Sequence, residues 1–280
     1  MEAKQLFDRT SYRCSKAVTN IYSSSFSLAI KFLHKDFIRP IHSIYGFVRL
    51  ADEIVDSFHD FKKRQLLDRL KDETHQAISE GISLNPILNS FQWAVNEYKI
   101  DAELIDTFLA SMEMDLMKEH YDQEKYEQYI LGSAEVVGLM CLKVFTEGNQ
   151  KMFEDLKPSA MKLGSAFQKI NFLRDLKADY NELGRSYFPG IDVSKFDDAT
   201  KHAIEADIEA DFDAGYEGVI ALPKKARFGV YLAYIYYTAL FAKISKLPSA
   251  DILSTRISVS KREKMRLLFG SYIRHSFNSL

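Results

Sequence analysis

Acidic residues stand four positions apart in two distant stretches of this chain. In the first stretch, YGFVRLADEIVDSF (45–58), Tyr45, Arg49, Asp52 and Asp56 are separated by helical intervals. On a helix of 3.6 residues per turn these four positions fall within an arc of roughly 60°. The other positions are mostly apolar, with Glu53 the exception. Because a helix that is apolar over most of its circumference is buried, this polar stripe is expected to face a buried network or a wet cavity.

The second stretch, FQKINFLRDLKAD (167–179), repeats the arrangement. Gln168, Asn171, Asp175 and Asp179 fall within an arc of roughly 80° on a helix. One acidic pair at this spacing is common on solvated helix surfaces. Two pairs on otherwise apolar helices, each extended by hydrogen-bonding side chains, predict a functional site.

The side-chain types in the two stripes indicate which ligand such a site would hold. Four carboxylates facing one cavity repel each other unless a cation lies between them. Neither stripe contains His or Cys, and a set of oxygen ligands suits Mg²⁺ or Mn²⁺ better than zinc or copper. Magnesium usually keeps several waters and is held by one or two carboxylates plus phosphate oxygens. Arg49 and Arg174 could bind the same anion, so we expect a phosphate or diphosphate between the two helices.

Aromatic residues near the stripes suggest the rest of the ligand. Phe26, Phe47, Phe167 and Phe172 lie within or close to the two segments, and they would give the cavity apolar walls beyond the charged end. A diphosphate with a long apolar tail is a prenyl diphosphate. Each aromatic residue taken alone is better explained by packing in a protein core.

The elements that position these residues are predicted to be helices throughout, because apolar residues recur at helical intervals and no sustained alternation typical of strands is visible. We therefore predict an all-α, single-domain protein over residues 1–280. The clearest long loop is predicted at 184–196. The predicted helices lie near 12–33, 40–57, 60–80, 86–98, 102–119, 124–146, 157–182, 199–219, 224–245 and 260–277.

Composition excludes several classes of protein. The 280 residues are 46% hydrophobic and 27% charged, with a formal net charge of −2, which is typical of a globular protein and gives no reason to expect a nucleic-acid partner. Cys14 and Cys141 are far apart and are interpreted as reduced core thiols. The first residues lack the apolar stretch of a signal peptide, so a cytoplasmic location is expected.

The longest nearly apolar run covers 228–242. It is shorter than the roughly 20 residues needed to span a bilayer, and we interpret it as a buried helix. Its basic flanks are Lys224, Lys225 and Arg227 before it and Lys243 after it. Solvated helix ends are the commoner reason for such charges, and peripheral contact with the inner membrane surface is the alternative.

Several segments, in this order and spacing, resemble the head-to-head trans-prenyl transferases, the family of phytoene, dehydrosqualene and squalene synthases. The resemblance covers nearly the whole chain, and the two aspartate motifs combined with the Gln-x-x-Asn-x-x-Arg-Asp run are highly specific. The matching segments are YSSSFSLA (22–29), IYGFVRLADEIVD (44–56), MEMDL (112–116), YILGSAEVVGLM (129–140), QKINFLRDLKAD (168–179) and GRSYFP (184–189), with weaker matches in YTALFAKI (237–244) and RISVSKREK (256–264).

This resemblance implies an isoprenoid-synthase fold, a helical bundle around a central cavity with a Mg²⁺ cluster between the two aspartate motifs. The implied metal ligands are Asp52, Asp56, Asn171, Asp175 and Asp179. The four aspartates and Arg49 would be catalytic. The residues implied to hold diphosphate or to position the substrate are Ser23, Ser25, Phe26, Tyr45, Arg49, Gln168, Arg174 and Tyr237, with Arg256 a weaker candidate.

The implied reaction starts when diphosphate leaves one prenyl diphosphate to give an allylic cation. The double bond of a second molecule attacks this cation, and the resulting cyclopropylcarbinyl diphosphate ionises and rearranges. Our leading expectation is phytoene synthesis from two geranylgeranyl diphosphates without NADPH. The same chemistry on farnesyl diphosphate, giving dehydrosqualene, presqualene diphosphate or squalene, is the alternative, and a non-catalytic helical assembly protein of the same fold is a remote one.

Three positions depart from the family's usual pattern. Ala178 stands where an acid commonly precedes the last aspartate, and Leu131 and Glu135 replace a frequent Tyr and Gly. The four acids of the motifs are intact, so these departures bear on substrate length and on contacts with the second substrate rather than on catalysis.

Overall fold

The computed structural model describes residues 3–117, 121–178, 187–192, 195–252 and 257–276, and these contain no β-strand. The helices are α1 (Ala3–Tyr22), α2 (Ser24–Ile30), α3 (Lys35–Asp56), α4 (Lys63–Glu80), α5 (Pro86–Tyr98), α6 (Ala102–Asp115), α7 (Gln123–Ile130), α8 (Val136–Phe145), α9 (Gln150–Ala178), α10 (Asp198–Ala221), α11 (Lys224–Ser245), α12 (Ser249–Ile252) and α13 (Lys261–Ser276), with a π-helical turn (Leu131–Glu135) between α7 and α8.

The all-α prediction is confirmed, and most predicted helices differ from the observed ones only at their ends. One difference is informative: the helix predicted over 12–33 is broken at Ser23, whose side-chain oxygen accepts a hydrogen bond from the Phe26 amide at 3.1 Å and caps α2. The break lies beside the cavity described below, because Tyr22 and Ser23 both line it. Ser23 itself is thereby held on the cavity wall.

Helix α9 begins earlier than predicted. Its first turn is capped by Asn149, which accepts from the Met152 amide at 3.1 Å, and Pro158 lies inside the helix rather than at its start. Packing against α8 and α10 supports this helix on two sides, which overrides the local preference of proline for helix ends. Within the predicted loop, residues 187–192 are without regular helix, and several of the others lie outside the described residues.

A buried ionic cluster joins α9 to α10. Asp211 is 2% exposed and accepts hydrogen bonds from Lys162 Nζ at 2.8 Å, Lys169 Nζ at 2.7 Å and Ser165 Oγ at 2.6 Å. Burial by itself raises the pKa of Asp211, but these hydrogen bonds outweigh it and hold the pKa below its usual range. The cluster fixes α9, which carries the second polar stripe, against α10.

Helix α11 is largely buried, as its apolar run predicts. Among the described residues, Gln123–Phe145 is the one helical segment whose length and mean hydropathy of 1.3 would suit a membrane span, but half of it is buried within the protein. Core helices commonly share these two features, so the segment carries little evidence for a membrane-spanning role.

Candidate active site

The two polar stripes meet across a single cavity of about 590 Å³. Helix α3 lines one wall and α9 lines another, and the rest of the lining comes mainly from residues of α1, α2, α6, α7, α8, α10 and α11 and of the π-helical turn, together with Tyr187 and Leu222. Residues 56 and 168 are separated by many elements in the chain, so only the packing of the bundle brings the stripes together. The predicted site residues that line the cavity are Ser23, Phe26, Tyr45, Arg49, Asp52, Asp56, Gln168, Asn171, Arg174, Asp175 and Tyr237.

One predicted residue, Ser25, is not part of this lining, and two others fall outside the described residues. Ser25 lies half-buried in α2 and is not among the residues of the cavity wall, because its neighbour Ser23 takes the position at the break between the helices. Asp179 and Arg256 lie outside the described residues. The predicted roles of these three therefore stay predictions.

Phe47 was expected near the cavity, and this expectation is wrong. Phe47 is fully buried and stacks on Phe91 with ring centroids 3.9 Å apart. The reason is geometric, because residue 47 is rotated by roughly 200° from residue 45 on a helix and so points away from the polar stripe of α3 into the core.

The surroundings of Asp52 on α3 favour its protonated form. Burial, the largest cause, and the charges of Asp56 and Asp115 raise the pKa of Asp52, whereas Arg49 lowers it, and the net result is a pKa of about 7. Burial disfavours the ionised form of this carboxyl, and a cation bound nearby would restore that form. The environment of Asp52 therefore fits a site for a divalent cation.

The described residues do not form a closed metal cage. No group of three or more His, Cys, Asp or Glu side chains within the described ranges is close enough to hold an ion by itself. Magnesium does not need such a cage, because it is commonly held by one or two carboxylates together with substrate phosphates and water. The oxygen side chains of Asp52, Asp56, Asn171 and Asp175 on opposing walls fit that mode of binding.

Arg49 is placed to bind an anion. Its Nη2 forms an ion pair with Glu53, and its guanidinium carbon lies 4.5 Å from the centroid of the Tyr22 ring. Its Nε is buried and has no hydrogen-bond partner. A buried donor without a partner is costly, so an acceptor such as a diphosphate oxygen would complete this group.

The stripe of α9 is internally hydrogen-bonded. Arg174 Nε donates to Asp175 Oδ1 at 3.0 Å, and Asn171 Nδ2 donates to Gln168 Oε1 at 3.4 Å. Asn171 also hydrogen-bonds Tyr237, whose pKa is raised mainly by burial. These contacts orient the amides and the guanidinium toward a shared face of the cavity.

Asp115 is a cavity residue to which the sequence analysis assigns no role. It lies at the end of α6, is 6% exposed, and accepts hydrogen bonds from Tyr129 Oη at 2.7 Å and Tyr187 Oη at 3.2 Å. Asp115 lies near the end of the predicted helix 102–119 and belongs to neither polar stripe, so periodicity did not single it out. Its position in the family-like segment MEMDL was the available signal.

The π-helical turn shapes the wall between α7 and α8. It brings Ser133 and Ala134 to the cavity, where Ser133 Oγ is buried without a hydrogen-bond partner. Leu131 and Glu135 are not among the lining residues. These two departures from the family pattern therefore lie outside the cavity wall.

Beyond the charged end the cavity is apolar and aromatic. Phe167 stacks on Tyr237 with ring centroids 4.0 Å apart, and Phe26 lies 5.7 Å from Tyr237 and 6.2 Å from Phe167. The deeper wall consists mainly of aliphatic and aromatic side chains, including Ile30, Leu33, Ile41, Leu142, Phe145, Leu156, Val219 and Leu222. Cys141 also lines the cavity, and burial raises its pKa to about 12, so it is a neutral thiol.

Known proteins share this sequence pattern and fold. The family model described as squalene/phytoene synthase matches residues 19–263. A bifunctional lycopene cyclase/phytoene synthase of Phycomyces blakesleeanus is 27% identical over 88% of this chain, which spans about half (47%) of that relative's length. A phytoene synthase of Cereibacter sphaeroides is 24% identical, with 87% of this chain and 74% of the relative covered. A presqualene diphosphate synthase of Rhodopseudomonas palustris is 27% identical, with 59% of this chain and 58% of the relative covered.

Solved structures confirm the fold. A dehydrosqualene synthase crystallised with a ligand superposes with a TM-score of 0.80 at 20% identity, covering 96% of this chain and 98% of that one. A squalene synthase from Alicyclobacillus acidocaldarius gives a TM-score of 0.73 at 21% identity, covering 85% and 94%. The predicted all-α isoprenoid-synthase fold is thus confirmed. The chain belongs to the squalene/phytoene synthase family, whose members are prenyltransferases that join prenyl diphosphates head to head.

Proposed function

We propose that this chain is a Mg²⁺-dependent prenyltransferase that joins two geranylgeranyl diphosphates to phytoene in carotenoid biosynthesis. The observation that carries the proposal is the cavity itself, which has acids and arginines from α3 and α9 at one end and apolar side chains at the other. The choice of a C20 substrate is supported by two relatives named phytoene synthases, which match 87–88% of this chain.

The residues of the chain would work on the substrate in stages. Arg49 and Arg174 would bind the diphosphate, and Asp52, Asp56, Asn171 and Asp175 would hold Mg²⁺ (or Mn²⁺), which supplies charge neutralisation for the departing diphosphate. The rings of Phe26, Phe167 and Tyr237 would face the allylic cation. Apolar walls would keep water away, so that the cation is not quenched to an alcohol.

The proposed reaction balances without a reductant. The C–O bond of the first substrate breaks and diphosphate leaves. The double bond of the second substrate then attacks, and loss of a proton gives a cyclopropylcarbinyl diphosphate. A second diphosphate leaves, the skeleton rearranges to the 1-1′ linkage, and loss of another proton gives phytoene. NADPH is therefore not expected, whereas a reduced product such as squalene would require it.

A C15 substrate is the second candidate. It is favoured by the similarity to a presqualene diphosphate synthase and by the superposition on a dehydrosqualene synthase. The non-catalytic alternative would gain support only if the site proved dispensable, since buried charge without a function is costly and the described acids of both stripes line the cavity.

Product analysis tests the proposal. Purified protein is incubated with Mg²⁺ and either geranylgeranyl or farnesyl diphosphate, with and without NADPH. A C40 hydrocarbon formed equally well without NADPH is the expected result. Turnover of farnesyl diphosphate alone would move the assignment to C30 synthesis. Absence of product from both substrates, with a folded protein, would reject the enzyme assignment.

A further inference from the structure

Helix α13 exposes an apolar stripe. Met265, Phe269, Tyr272 and Ile273 are 55%, 69%, 57% and 42% exposed. On a helix these four positions fall within an arc of roughly 100°. Large apolar side chains gathered on one exposed face indicate an interaction surface more strongly than the same residues scattered over a protein.

The opposite side of α13 is fixed to the protein. Leu267 and Leu268 pack against apolar residues of α11 and its neighbours. Tyr236 Oη donates to the Lys264 carbonyl at 3.2 Å, and Glu263 pairs with Lys243. The exposed stripe is therefore presented by a docked helix.

Basic residues accompany the stripe. Lys261, Arg262 and Arg266 are exposed, and on a helix they lie within or beside the arc of the apolar residues. Glu263, the one acid between residues 261 and 276, is paired with Lys243. This concentration of positive charge contrasts with the net charge of −2 of the whole chain.

The stripe lies near the entrance of the cavity. Lys264 Nζ donates to Ser24 Oγ at 2.7 Å, which places α13 beside the junction of α1 and α2. In that junction Ser23 and Tyr22 line the cavity, and Tyr22 is 48% exposed. Ile21, beside them in the sequence, is 78% exposed, so the apolar surface at this end of the protein includes both elements.

We propose that the exposed face of α13 docks this protein on the surface of a lipid bilayer that contains anionic lipids. An apolar stripe with basic borders is the pattern of helices that lie in the membrane interface. A second copy of the chain fits less well, because a symmetric contact through this face would bring the basic residues of both copies into one interface, where Glu263, the one acid of α13, is already paired with Lys243. The basic flanks Lys224 and Lys225 of α11 are exposed as well, but they border a largely buried helix, whereas α13 combines basic residues with an exposed apolar face.

The benefit of docking rests on the proposed function. Prenyl diphosphates and a C40 hydrocarbon have long apolar tails, which would pass between the cavity and the bilayer through the entrance beside α13. The docking itself follows from the surface of α13 and can be measured without any turnover.

Vesicle sedimentation tests the docking. The full chain is mixed with vesicles of phosphatidylcholine, with and without phosphatidylglycerol, and the bound fraction is measured at low and high salt. We expect binding to the anionic vesicles that weakens with salt. Phe269→Ser should weaken it about tenfold, and Arg262→Gln with Arg266→Gln about 30-fold.

Matched controls separate docking from folding. Leu84 is 93% exposed, so Leu84→Ser removes an even more exposed apolar side chain elsewhere. Lys62 and Lys151 are exposed, so Lys62→Gln with Lys151→Gln removes two charges outside α13. All variants should melt like the wild type and turn over detergent-dispersed substrate equally well.

Three results would overturn the proposal. The first is wild-type protein that does not sediment with anionic vesicles, and the second is α13 variants that bind as well as the controls. The third is a wild-type dimer that Phe269→Ser converts to a monomer. That result would identify a second copy of the chain as the occupant of this face. Failure of the proposed function is seen separately, as absence of product in detergent while vesicle binding persists.

Discussion

Asp52 shows how the site departs from an ordinary helix surface. It belongs to a helix that is otherwise largely buried, and its raised pKa follows from burial and from the neighbouring carboxylates of Asp56 and Asp115. Arg49, one turn earlier, contributes positive charge and keeps a buried donor without a partner. Both residues therefore gain from a ligand that combines a cation with an anion.

The pH dependence of stability should report the state of Asp52. With a folded pKa of about 7 and an unfolded pKa near 3.8, the folded protein keeps a proton that the unfolded chain releases between these values. The stability of the metal-free protein should therefore fall as pH rises from about 4 to 7. Asp52→Asn cannot ionise and should not show this loss.

Thermal melting in metal-free buffer measures the effect. The melting temperature of Asp52→Asn minus that of the wild type should grow by a few degrees between pH 5 and pH 8, since about 2–4 °C corresponds to 1 kcal/mol in a large domain. Asp68→Asn, an exposed acid away from the cavity, is the control. A difference that stays constant with pH would contradict the raised pKa.

Arg49→Lys should weaken binding of the diphosphate group. Lysine keeps the charge but loses the rigid fork of donors and the buried Nε. We expect the KM for the prenyl diphosphate, and the Kd for inorganic diphosphate with Mg²⁺, to rise about tenfold or more. Calorimetry measures the second value without turnover. Arg64→Lys, in a surface pair with Glu113, should change neither, and an unchanged Kd in Arg49→Lys would show that Arg49 does not contact the anion.

At the scale of elements, the cavity wall depends on close helix packing. A Cβ added at Gly164 of α9 would lie 2.8 Å from the backbone oxygen of Ala134 in the π-helical turn. The turn and α9 would have to separate to admit it. Glycine at this position therefore allows the wall that carries Ser133 and Ala134 to approach the helix that carries Asp175.

Gly164→Ala should destabilise the protein by about 1–3 kcal/mol, because the clash is with backbone rather than with a flexible side chain. Gly270→Ala is the matched control, since Gly270 is an exposed helical glycine with nothing within 4 Å of its added Cβ. It should stabilise by about 0.5–1 kcal/mol. Denaturant unfolding distinguishes the two signs, and equal effects would argue against the close approach.

At the scale of the whole molecule, the cavity lies between two apolar clusters. One is centred on α3, α5, α6 and α8, and the other on α9, α10 and α11. The polar stripes face each other where the clusters meet. A ligand that bridges α3 and α9 would therefore tie the two clusters together.

Mg²⁺ and inorganic diphosphate should stabilise the protein cooperatively. Mg²⁺ alone is repelled by the arginines, and diphosphate alone is repelled by the acids. When both are bound, Mg²⁺ neutralises the acids and diphosphate pairs with the arginines. At about 100 times the Kd the pair should add about 2.7 kcal/mol of stability, seen as a rise in melting temperature larger than the sum of the separate effects. Mg²⁺ with sulfate is the control, Asp52→Asn should abolish the cooperativity, and additive shifts would contradict a bridging ligand.

The sequence alone determined the helical class, the two polar stripes and the kind of ligand they suit, because helical periodicity and side-chain chemistry are local properties. It also carried the resemblance to the family that the comparisons confirm. Two predictions were wrong because the local pattern fits two structures. Phe47 was expected on the cavity wall but packs in the core, and the single helix predicted across Ser23 is two helices.

Tertiary structure decided which distant residues share a space. It brought α3 and α9 to one cavity, added Asp115 with Tyr129 and Tyr187, and left one face of α13 exposed beside the entrance. None of these follows from spacing along the chain, since lateral contacts between helices depend on the packing of the whole bundle. Periodicity says which face of a helix is polar, but only the neighbouring helices decide what that face meets.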